Sequence, residues 1–328
     1  MILKEITIGP NDAGQRLDKF LTKAYPNLPP AMLYKSIRKK DIKRNGKRCE
    51  ASDRLEEGDC LRLYLKDEFF RQKPQEYDFL KAPASLSVLY EDENILLVNK
   101  KPGLLVHPDA SYHFDSLIAR IQRYLYEKQE YTPQDEHSFA PALVNRIDRN
   151  TGGIVIAAKT AEALRILNLK MRAREVEKRY LCIVHGTMPH KEDTLTGYLE
   201  KNEAKNRVYI SRRPLPDGKT IRTRYRVLEE HAGYSLLEVD LLTGRTHQIR
   251  AHLASIGHPL AGDGKYGTNA QNKPTGFPYQ ALYSYFLAFR FQTPGESLQY
   301  LDGKSWQVPK ESIWFWKEFH RLPPASTP

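Results

Sequence analysis

The sequence predicts a mixed α+β fold, and three observations carry that prediction. Short strand-like runs bounded by turn residues dominate the larger part of the chain, and few helical patterns interrupt them. A doubly wound parallel sheet would instead alternate strands and helices regularly. A shorter unit with two amphipathic helical patterns comes first, and 328 residues exceed the usual size of one domain. We therefore expect a small α+β domain followed by a large one.

The N-terminal unit, residues 1–66, has a clear order of predicted elements. Apolar residues at helical spacing predict a helix over 14–26, and a second helix over 29–41 begins with a proline pair. Asn45-Gly46 predicts a turn. Leucines at alternate positions over 61–65 then predict a half-buried strand.

A dense run of positive charge spans Lys35 to Arg48, where eight of fourteen residues are Lys or Arg and Asp41 is the acidic residue. The run could be a solvated helix face or a phosphate-binding surface. The order RLDKFL, SIRKKDIKRNGKR and DRLEEGD resembles the small alpha-L RNA-binding domain found in a ribosomal protein and in many RNA-modifying enzymes. That resemblance implies RNA contact by Lys35, Arg38, Lys39, Lys40, Lys43, Arg44 and Lys47.

The remainder of the chain divides into a linker over 67–86 and a large domain over 87–328. The linker mixes charge, proline and scattered aromatics without periodicity. In the C-terminal tail, Trp306, Trp314 and Trp316 are expected to pack. The large domain has predicted strands at 87–92, 95–100, 152–159, 179–186, 223–230 and 234–242, and predicted helices at 115–128 and 160–173.

Composition restricts the class of protein. Hydrophobic residues make up 40% and charged residues 28%, and no run of about 18 apolar residues predicts a membrane span. The N-terminus has no signal-peptide pattern, so we expect a cytoplasmic protein that does not bind membranes. Cys49, Cys60 and Cys182 are widely spaced, which argues against a disulfide framework or a zinc site. The net charge of +11 favours a polyanionic partner.

The segment from Leu143 to Thr160 carries the most informative pattern, an Arg-x-Asp-Arg turn with two glycines that leads into an apolar strand. Asp148 follows Arg146 by two residues and precedes Arg149. Such an acid could close a turn as a structural ion pair. Alternatively, nearby arginines could keep a catalytic carboxylate ionised while they hold RNA phosphates.

This segment resembles the catalytic motif of RluA-type pseudouridine synthases, with Asn145 and Gly152 where the family usually has His and Ser. Three further segments resemble family motifs in the family's order: 99–108, 177–186 and 241–267. The resemblance implies a pseudouridine synthase fold, in which helices flank a bent, mostly antiparallel sheet.

The resemblance also implies the reaction, in which uridine is isomerised by detaching its base and rejoining it to ribose through carbon 5. Asp148 would be the catalytic carboxylate, either attacking ribose or base or relaying a proton. Neither a cofactor nor a metal is required. Histidines 247, 252 and 258 do not have the spacing of a metal site on one helical face.

Motif matches supply the other site candidates. Tyr180 would stack on the flipped base, although a tyrosine at a strand start is, from its position alone, more often a core residue. Arg250 would pair with Asp148, with Arg245 as the competing candidate. Arg146 would fill the space that the target nucleotide leaves in the stack. The remaining candidates for RNA contact are Arg149, Thr151, Ile183, Arg245 and His247, of which Ile183 could instead belong to the core.

The expected partner is structured RNA, bound by a monomer. Ribosomal RNA is favoured because similar enzymes with this N-terminal domain mostly act on large-subunit RNA, and transfer RNA is the alternative. A catalytically silent RNA-binding or ribosome-assembly factor would share the fold and is the rival prediction from another class.

Overall fold

The computed structural model describes residues 2–70, 77–109, 114–204 and 207–325. Within them, one sheet of four strands and one sheet of eleven strands are flanked by helices, which confirms the mixed α+β prediction. The strands are β1 Ile2–Thr7, β2 Ile42–Arg44, β3 Lys47–Arg48, β4 Cys60–Leu65, β5 Val88–Glu91, β6 Ile95–Lys100, β7 Ala142–Leu143, β8 Gly152–Ala158, β9 Val176–His185, β10 Glu192–Asn202, β11 Arg207–Ser211, β12 Lys219–His231, β13 Tyr234–Leu241, β14 Leu282–Phe289 and β15 Ser305–Gln307. The α-helices are α1 Leu17–Ala24, α2 Pro30–Arg38, α3 Leu117–Glu127, α4 Ala161–Arg172, α5 Gln248–Ser255 and α6 Asn269–Asn272.

The N-terminal unit packs α1 and α2 against the small antiparallel sheet, whose order is β1-β4-β2-β3. Leu17, Phe20 and Leu21 are fully buried because they share one face of α1. Asn45 and Gly46 both have positive φ, of 51° and 75°, as a two-residue hairpin between β2 and β3 requires. The predicted elements of this unit are thus present.

The large sheet has the order β11-β10-β12-β13-β9-β14-β8-β6-β5, with β7 paired to β8 and β15 paired to β14. Its pairings are antiparallel apart from β14 with β8, where Tyr283 is paired with Gly152 and Ser284 with Gly153. That parallel contact brings the start of β8, and therefore the segment before it, against the start of β14.

Alternation along the strands separates two cores on opposite faces of the large sheet. The first core contains Leu181 and Ile183 of β9 and is covered by α4 and by the C-terminal segment with Phe315 and Phe319. The second core contains Tyr180, Cys182 and Val184 and is covered by α3 and α5. Trp306, Trp314 and Trp316 pack at the edge of the first core, as expected for the tail.

The predicted linker is partly packed. Residues 71–76 lie outside the described residues, but Phe79 is buried against the rings of Tyr126 and Tyr131. Arg123 Nη1 of α3 donates to the carbonyls of Leu80 (2.6 Å) and Ala82 (2.8 Å). The C-terminal half of the linker is therefore attached to α3.

The loop before α1 contacts the large unit through directional hydrogen bonds. Asn11 donates to Glu136 (2.7 Å) and accepts from the backbone N–H of Ala161 at the start of α4 (3.1 Å). Gln15 donates to Ser138 (2.8 Å). These bonds orient the N-terminal unit relative to the large one.

Among the described residues, no helix combines the length and the apolar composition that a membrane crossing needs. In the same part of the chain, no three or more His, Cys, Asp or Glu side chains gather as metal ligands would. Cys49, Cys60 and Cys182 are free thiols.

Candidate active site

The loop that carries Asp148 lies between β7 and β8 and is fixed by a buried amide. Asn145 donates to the carbonyl of Ile154 (3.3 Å) and accepts from the N–H of Ile156 (2.8 Å). The backbone N–H of Thr151 closes the turn on the carbonyl of Asp148 (3.0 Å). Asn145 therefore braces the loop at the position where the resembling family usually has histidine.

Two glycines let this loop lie directly against β14. A Cβ on Gly152 would overlap the ring of Tyr283, and one on Gly153 would overlap the backbone carbonyl of Ser284. Tyr283 is held in place because its hydroxyl donates to Asn99 (2.7 Å). Glycine at 152, in place of the family's serine, is therefore explained by the ring of Tyr283.

Asp148, Arg250 and Asp263 form a charge triad. Arg250 Nη1 donates to Asp148 Oδ2 (2.7 Å), while Nε and Nη2 donate to the two oxygens of Asp263 (2.7 and 2.9 Å). Asp263 is fully buried, whereas the side chain of Asp148 is 25% exposed. The guanidinium is thus anchored by the inner carboxylate and presents the outer one to solvent.

Arg250, and not Arg245, reaches the catalytic candidate. Burial alone lowers the pKa of Arg250, but the hydrogen bonds and charges of Asp263 and Asp148 outweigh it and raise that pKa. Burial likewise favours protonation of Asp263, yet Arg250 and two backbone N–H groups hold its pKa below the usual value. Arg245 is exposed on the turn before α5. Both shifts favour the charged forms of Arg250 and Asp263, which therefore form a buried ion pair.

Lys100, at the end of β6, joins the opening motif to the catalytic loop. Its ammonium donates to the carbonyls of Lys101 (3.1 Å), Leu104 (2.8 Å) and Arg149 (2.8 Å), and the residue is only 1% exposed. Burial lowers the pKa of Lys100 to about 7, against the attraction of Asp148. The motif matches did not single out this residue, although a lysine at the end of a predicted apolar strand was an available signal.

Tyr180 lies in the second core beside Ile147 and Leu282 and is 5% exposed. Burial raises its pKa to about 12, and a hydrogen bond with Ser284 opposes that rise. The phenol is therefore protonated at neutral pH. Tyr180 has both the core packing of the structural alternative and a position close enough to Asp148 to feel its charge.

His247 and Tyr266 complete the wall around the triad. His247 Nε2 lies 3.8 Å from Asp148 Oδ2, and its Nδ1 shares a hydrogen bond with the Tyr266 hydroxyl (2.9 Å). Arg250 lies over the Tyr266 ring at 5.3 Å. Burial lowers the pKa of His247, so the ring is neutral at pH 7. No separate pattern in the sequence indicated Tyr266.

The other predicted contact residues separate into exposed and buried positions. Arg146 and Arg149 are exposed on either side of Asp148, and Arg149 Nε donates to the Gly103 carbonyl (3.0 Å). Thr151 is buried and its hydroxyl accepts from Gln280 (3.2 Å). Ile183 is fully buried in the first core, on the face of β9 opposite Tyr180. Its proposed place in the pocket is therefore corrected to a core position.

The basic cluster, defined as the seven predicted RNA-contact residues between Lys35 and Lys47, lies on the end of α2 and on the β2–β3 hairpin. Most of these side chains are exposed. Arg44 differs because it pairs with Glu56 (3.2 Å) and with the buried Asp59 (2.6 Å). The cluster is thus an exposed cationic surface with one member that also supports the fold.

The sequence and the fold are similar to those of known pseudouridine synthases. The family model for RNA pseudouridylate synthases matches residues 94–255, which include Asp148, Tyr180 and Arg250. The chain is 35% identical over 266 residues to the ribosomal large subunit pseudouridine synthase C of Vibrio cholerae, covering 80% of each chain. It is 32% identical over 298 residues to the Escherichia coli protein of the same name, covering 89% of this chain and 90% of that one. The structure of human RNA pseudouridylate synthase domain containing 4 has the same fold, with a TM-score of 0.55 and 20% identity over 74% of this chain and 94% of that one.

Proposed function

Because this chain belongs to the RNA pseudouridylate synthase family, we propose that it isomerises uridine to pseudouridine in structured RNA, with large-subunit ribosomal RNA as its substrate. The observation that carries the proposal is the 2.7 Å ion pair between Asp148 and Arg250. It supplies an oriented carboxylate at a position that solvent, and therefore RNA, can reach. The ribosomal substrate is supported by the names of the relatives from Vibrio cholerae and Escherichia coli.

Asp148 performs the chemistry in this proposal. The carboxylate attacks the ribose or the base, or it relays a proton from the sugar while the base turns. In each route the bond from ribose to N1 of uracil breaks, a bond from ribose to carbon 5 forms, and the proton on carbon 5 is released to solvent. Each route needs an ionised and oriented carboxylate, and the guanidinium of Arg250 stabilises that form through a charge-assisted hydrogen bond. Arg250 is itself held by Asp263, so little reorganisation is needed when the substrate arrives.

Tyr180 and the loop around Asp148 position the substrate. The Tyr180 ring stacks on the flipped uracil, an interaction that is favourable for any base face. At neutral pH its phenol can donate a hydrogen bond but cannot act as a base, because its pKa is about 12. Lys100 and Asn145 hold the loop backbone, and they are positioning residues rather than catalytic ones.

RNA affinity comes from positive charge distributed over the surface. Arg146 and Arg149 are exposed on either side of Asp148, Arg245 is exposed on the turn before α5, and the basic cluster adds a further region. Phosphate contacts of this kind add up over many side chains and weaken as salt increases. Arg146 also enters the gap that the flipped uridine leaves, which offsets part of the unstacking cost of a few kcal/mol.

Tritium release tests the activity. RNA labelled with tritium at carbon 5 of uridine is extracted from cells that lack this protein, separated into large-subunit, small-subunit and transfer RNA, and incubated with wild type or Asp148→Ala. We expect wild type alone to release tritium, and from the large-subunit fraction. Release from transfer RNA alone would overturn the ribosomal assignment. No release by wild type, with RNA binding intact, would overturn the isomerase and favour the assembly-factor alternative.

A further inference from the structure

A cavity of about 490 Å³ lies next to the catalytic loop, and its volume is in the range of small-molecule sites. We infer that it receives the base of a nucleotide adjacent to the isomerised uridine in the same RNA strand. The inference rests on the proposed function, since it assigns a further subsite for the proposed RNA substrate. Leu86, Ser87, Leu104, Leu117, Arg149 and Tyr279 are among its lining residues.

The cavity is continuous with the catalytic loop. Arg149 lines the cavity and directly follows Asp148 in the chain. The turn at Gly103 forms part of the wall and makes two hydrogen bonds with Arg149. The N–H of Gly103 donates to the Arg149 carbonyl (2.9 Å), and Arg149 Nε donates to the Gly103 carbonyl (3.0 Å). The ammonium of Lys100 donates a second hydrogen bond to the same carbonyl of Arg149. A nucleotide joined to the uridine at Asp148 therefore reaches this cavity by passing Arg149.

The lining has the chemistry of a nucleotide site. Leucines 86, 104 and 117 offer apolar surface for the face of a base, and Ser85 and Ser87 also line the cavity. Four cationic side chains and one carboxylate line the cavity: Lys100, Lys101, Arg120, Arg149 and Asp115. The carboxylate is held in a bidentate pair with Arg120, at 2.5 and 2.7 Å. The positive charges of Lys101 and Arg149 favour the phosphate group that accompanies a nucleotide base.

Backbone geometry keeps the cavity open. Gly103 has a φ of +88°, and a Cβ there would lie 3.0 Å from the Tyr279 hydroxyl. The turn can therefore pass closely under Tyr279 without a side chain that projects into the space. In this arrangement Asp148 determines the chemistry, and the cavity contributes to the choice of which uridine is modified.

The test fills the cavity and removes the proposed base independently. Ser87→Trp places a large ring in the cavity. The pairing with β6 should be kept, because the N–H of Asn99 donates to the backbone carbonyl of Ser87 and not to its side chain. Val88→Trp is the matched control, since Val88 is the next residue, is 37% exposed and does not line the cavity. The RNA is the shortest transcript that wild type isomerises, or binds if no turnover occurs, and abasic nucleotides replace each neighbour of the target site in turn.

We expect one abasic position to weaken wild-type binding by about tenfold, which corresponds to about 1.4 kcal/mol. Ser87→Trp should weaken binding of intact RNA by a similar factor and should show no additional weakening on the abasic RNA. Val88→Trp should behave as wild type, and thermal unfolding of both variants should match wild type. Equal binding of all abasic RNAs by wild type, or independent losses of affinity in Ser87→Trp, would overturn the inference.

Binding and turnover distinguish this inference from the proposed function. A wild-type protein that distinguishes intact from abasic RNA but releases no tritium would retain the cavity and refute the isomerase. A protein that releases tritium but treats all abasic RNAs alike would retain the isomerase and refute the cavity.

Discussion

The charge triad and the basic cluster use charge in opposite ways. In the triad, Arg250 touches two carboxylates at once, and the inner one, Asp263, is fully buried. In the basic cluster, Lys39 and Lys47 are exposed and have many equivalent neighbours. A buried charge depends on each partner, whereas exposed charges act together and are individually replaceable. In the proposed function, catalysis therefore depends on a few side chains and RNA affinity on many.

Asp148→Asn should have the largest effect on activity and almost none on affinity. The neutral amide cannot serve as the anionic group, so we expect kcat/KM to fall by more than about 10⁴-fold. Tritium-release kinetics measure this decrease, and filter binding measures the Kd for RNA. A parallel decrease in affinity would contradict the separation between the two regions.

Arg250→Met should reduce both activity and stability. It leaves Asp263 buried without its counterion, which we expect to cost about 3 to 5 kcal/mol in the free energy of unfolding. Removal of the donor to Asp148 should lower kcat by about 10²-fold or more. Urea unfolding and tritium release report the two effects.

The control for Arg250→Met is the double variant Arg250→Met/Asp263→Asn. It removes the unpaired buried charge, and we expect stability to recover in part while activity stays low. Recovery of activity in the double variant would show that Arg250 acts only through the fold.

Charge reversal of Lys39, Lys43 and Lys47 to Glu should weaken RNA binding by about 10- to 100-fold at moderate salt and leave kcat at saturating RNA unchanged. The slope of log K against log salt should fall by about 0.7 to 0.9 for each phosphate that the protein no longer neutralises. Reversal of Lys304, Lys310 and Lys317, on the C-terminal segment, is the control. Equal weakening by the control would show that net charge, and not this surface, determines affinity.

Activity should fall at alkaline pH as the ammonium of Lys100 loses its proton. Since the folded-state pKa is about 7, raising the pH from 6 to 9 removes a proton and leaves one of three carbonyls without a donor. We expect kcat/KM to fall by about tenfold over this range. Lys100→Met should be less active throughout and should lack this alkaline fall, as a pH profile of tritium release will show.

The contribution of Lys100 to stability should rise with pH, whereas its contribution to activity should fall. The unfolded chain keeps this proton up to the usual pKa near 10.5, whereas the folded chain releases it near 7. Between these values the unfolded state binds more protons, so this group's contribution favours folding increasingly as pH rises. Wild type should therefore gain stability relative to Lys100→Met between pH 7 and 10 in urea unfolding. A constant difference would contradict the lowered pKa.

The smallest effects should occur within the basic cluster and should reveal its one exception. Lys47→Gln should weaken RNA binding by about twofold and leave stability unchanged, because it is exposed. Arg44→Gln should cost a similar factor in affinity and also about 1 to 3 kcal/mol in stability, since the buried Asp59 loses its charged partner and keeps the hydrogen bonds from Asn45 and the N–H of Glu56. Equal stability of the two variants would remove the distinction.

Sequence motifs predicted some residues of the candidate site but not the contacts that hold them. Asp148 and Arg250 lie 102 positions apart, yet both were predicted from motif matches, and the structure joins them at 2.7 Å. Ile183 was misassigned because the motif does not say which face of β9 a residue occupies. Asp263 and Tyr266 lie in a matched motif, but no pattern indicated that they hold Arg250 and His247.

The sequence by itself predicted many of the helices and strands and the family, because local periodicity and short motifs encode these properties directly. It also led to two predictions, the two-part organisation and the role of Asp148 as the catalytic carboxylate. The tertiary structure decided which charges meet. Arg250, and not Arg245, contacts Asp148. The ring of Tyr283 explains why residue 152 is glycine, and the role of Lys100 became evident from its hydrogen bonds to three carbonyls. These relations depend on sheet register and on distances between segments far apart in the chain, which no local pattern contains.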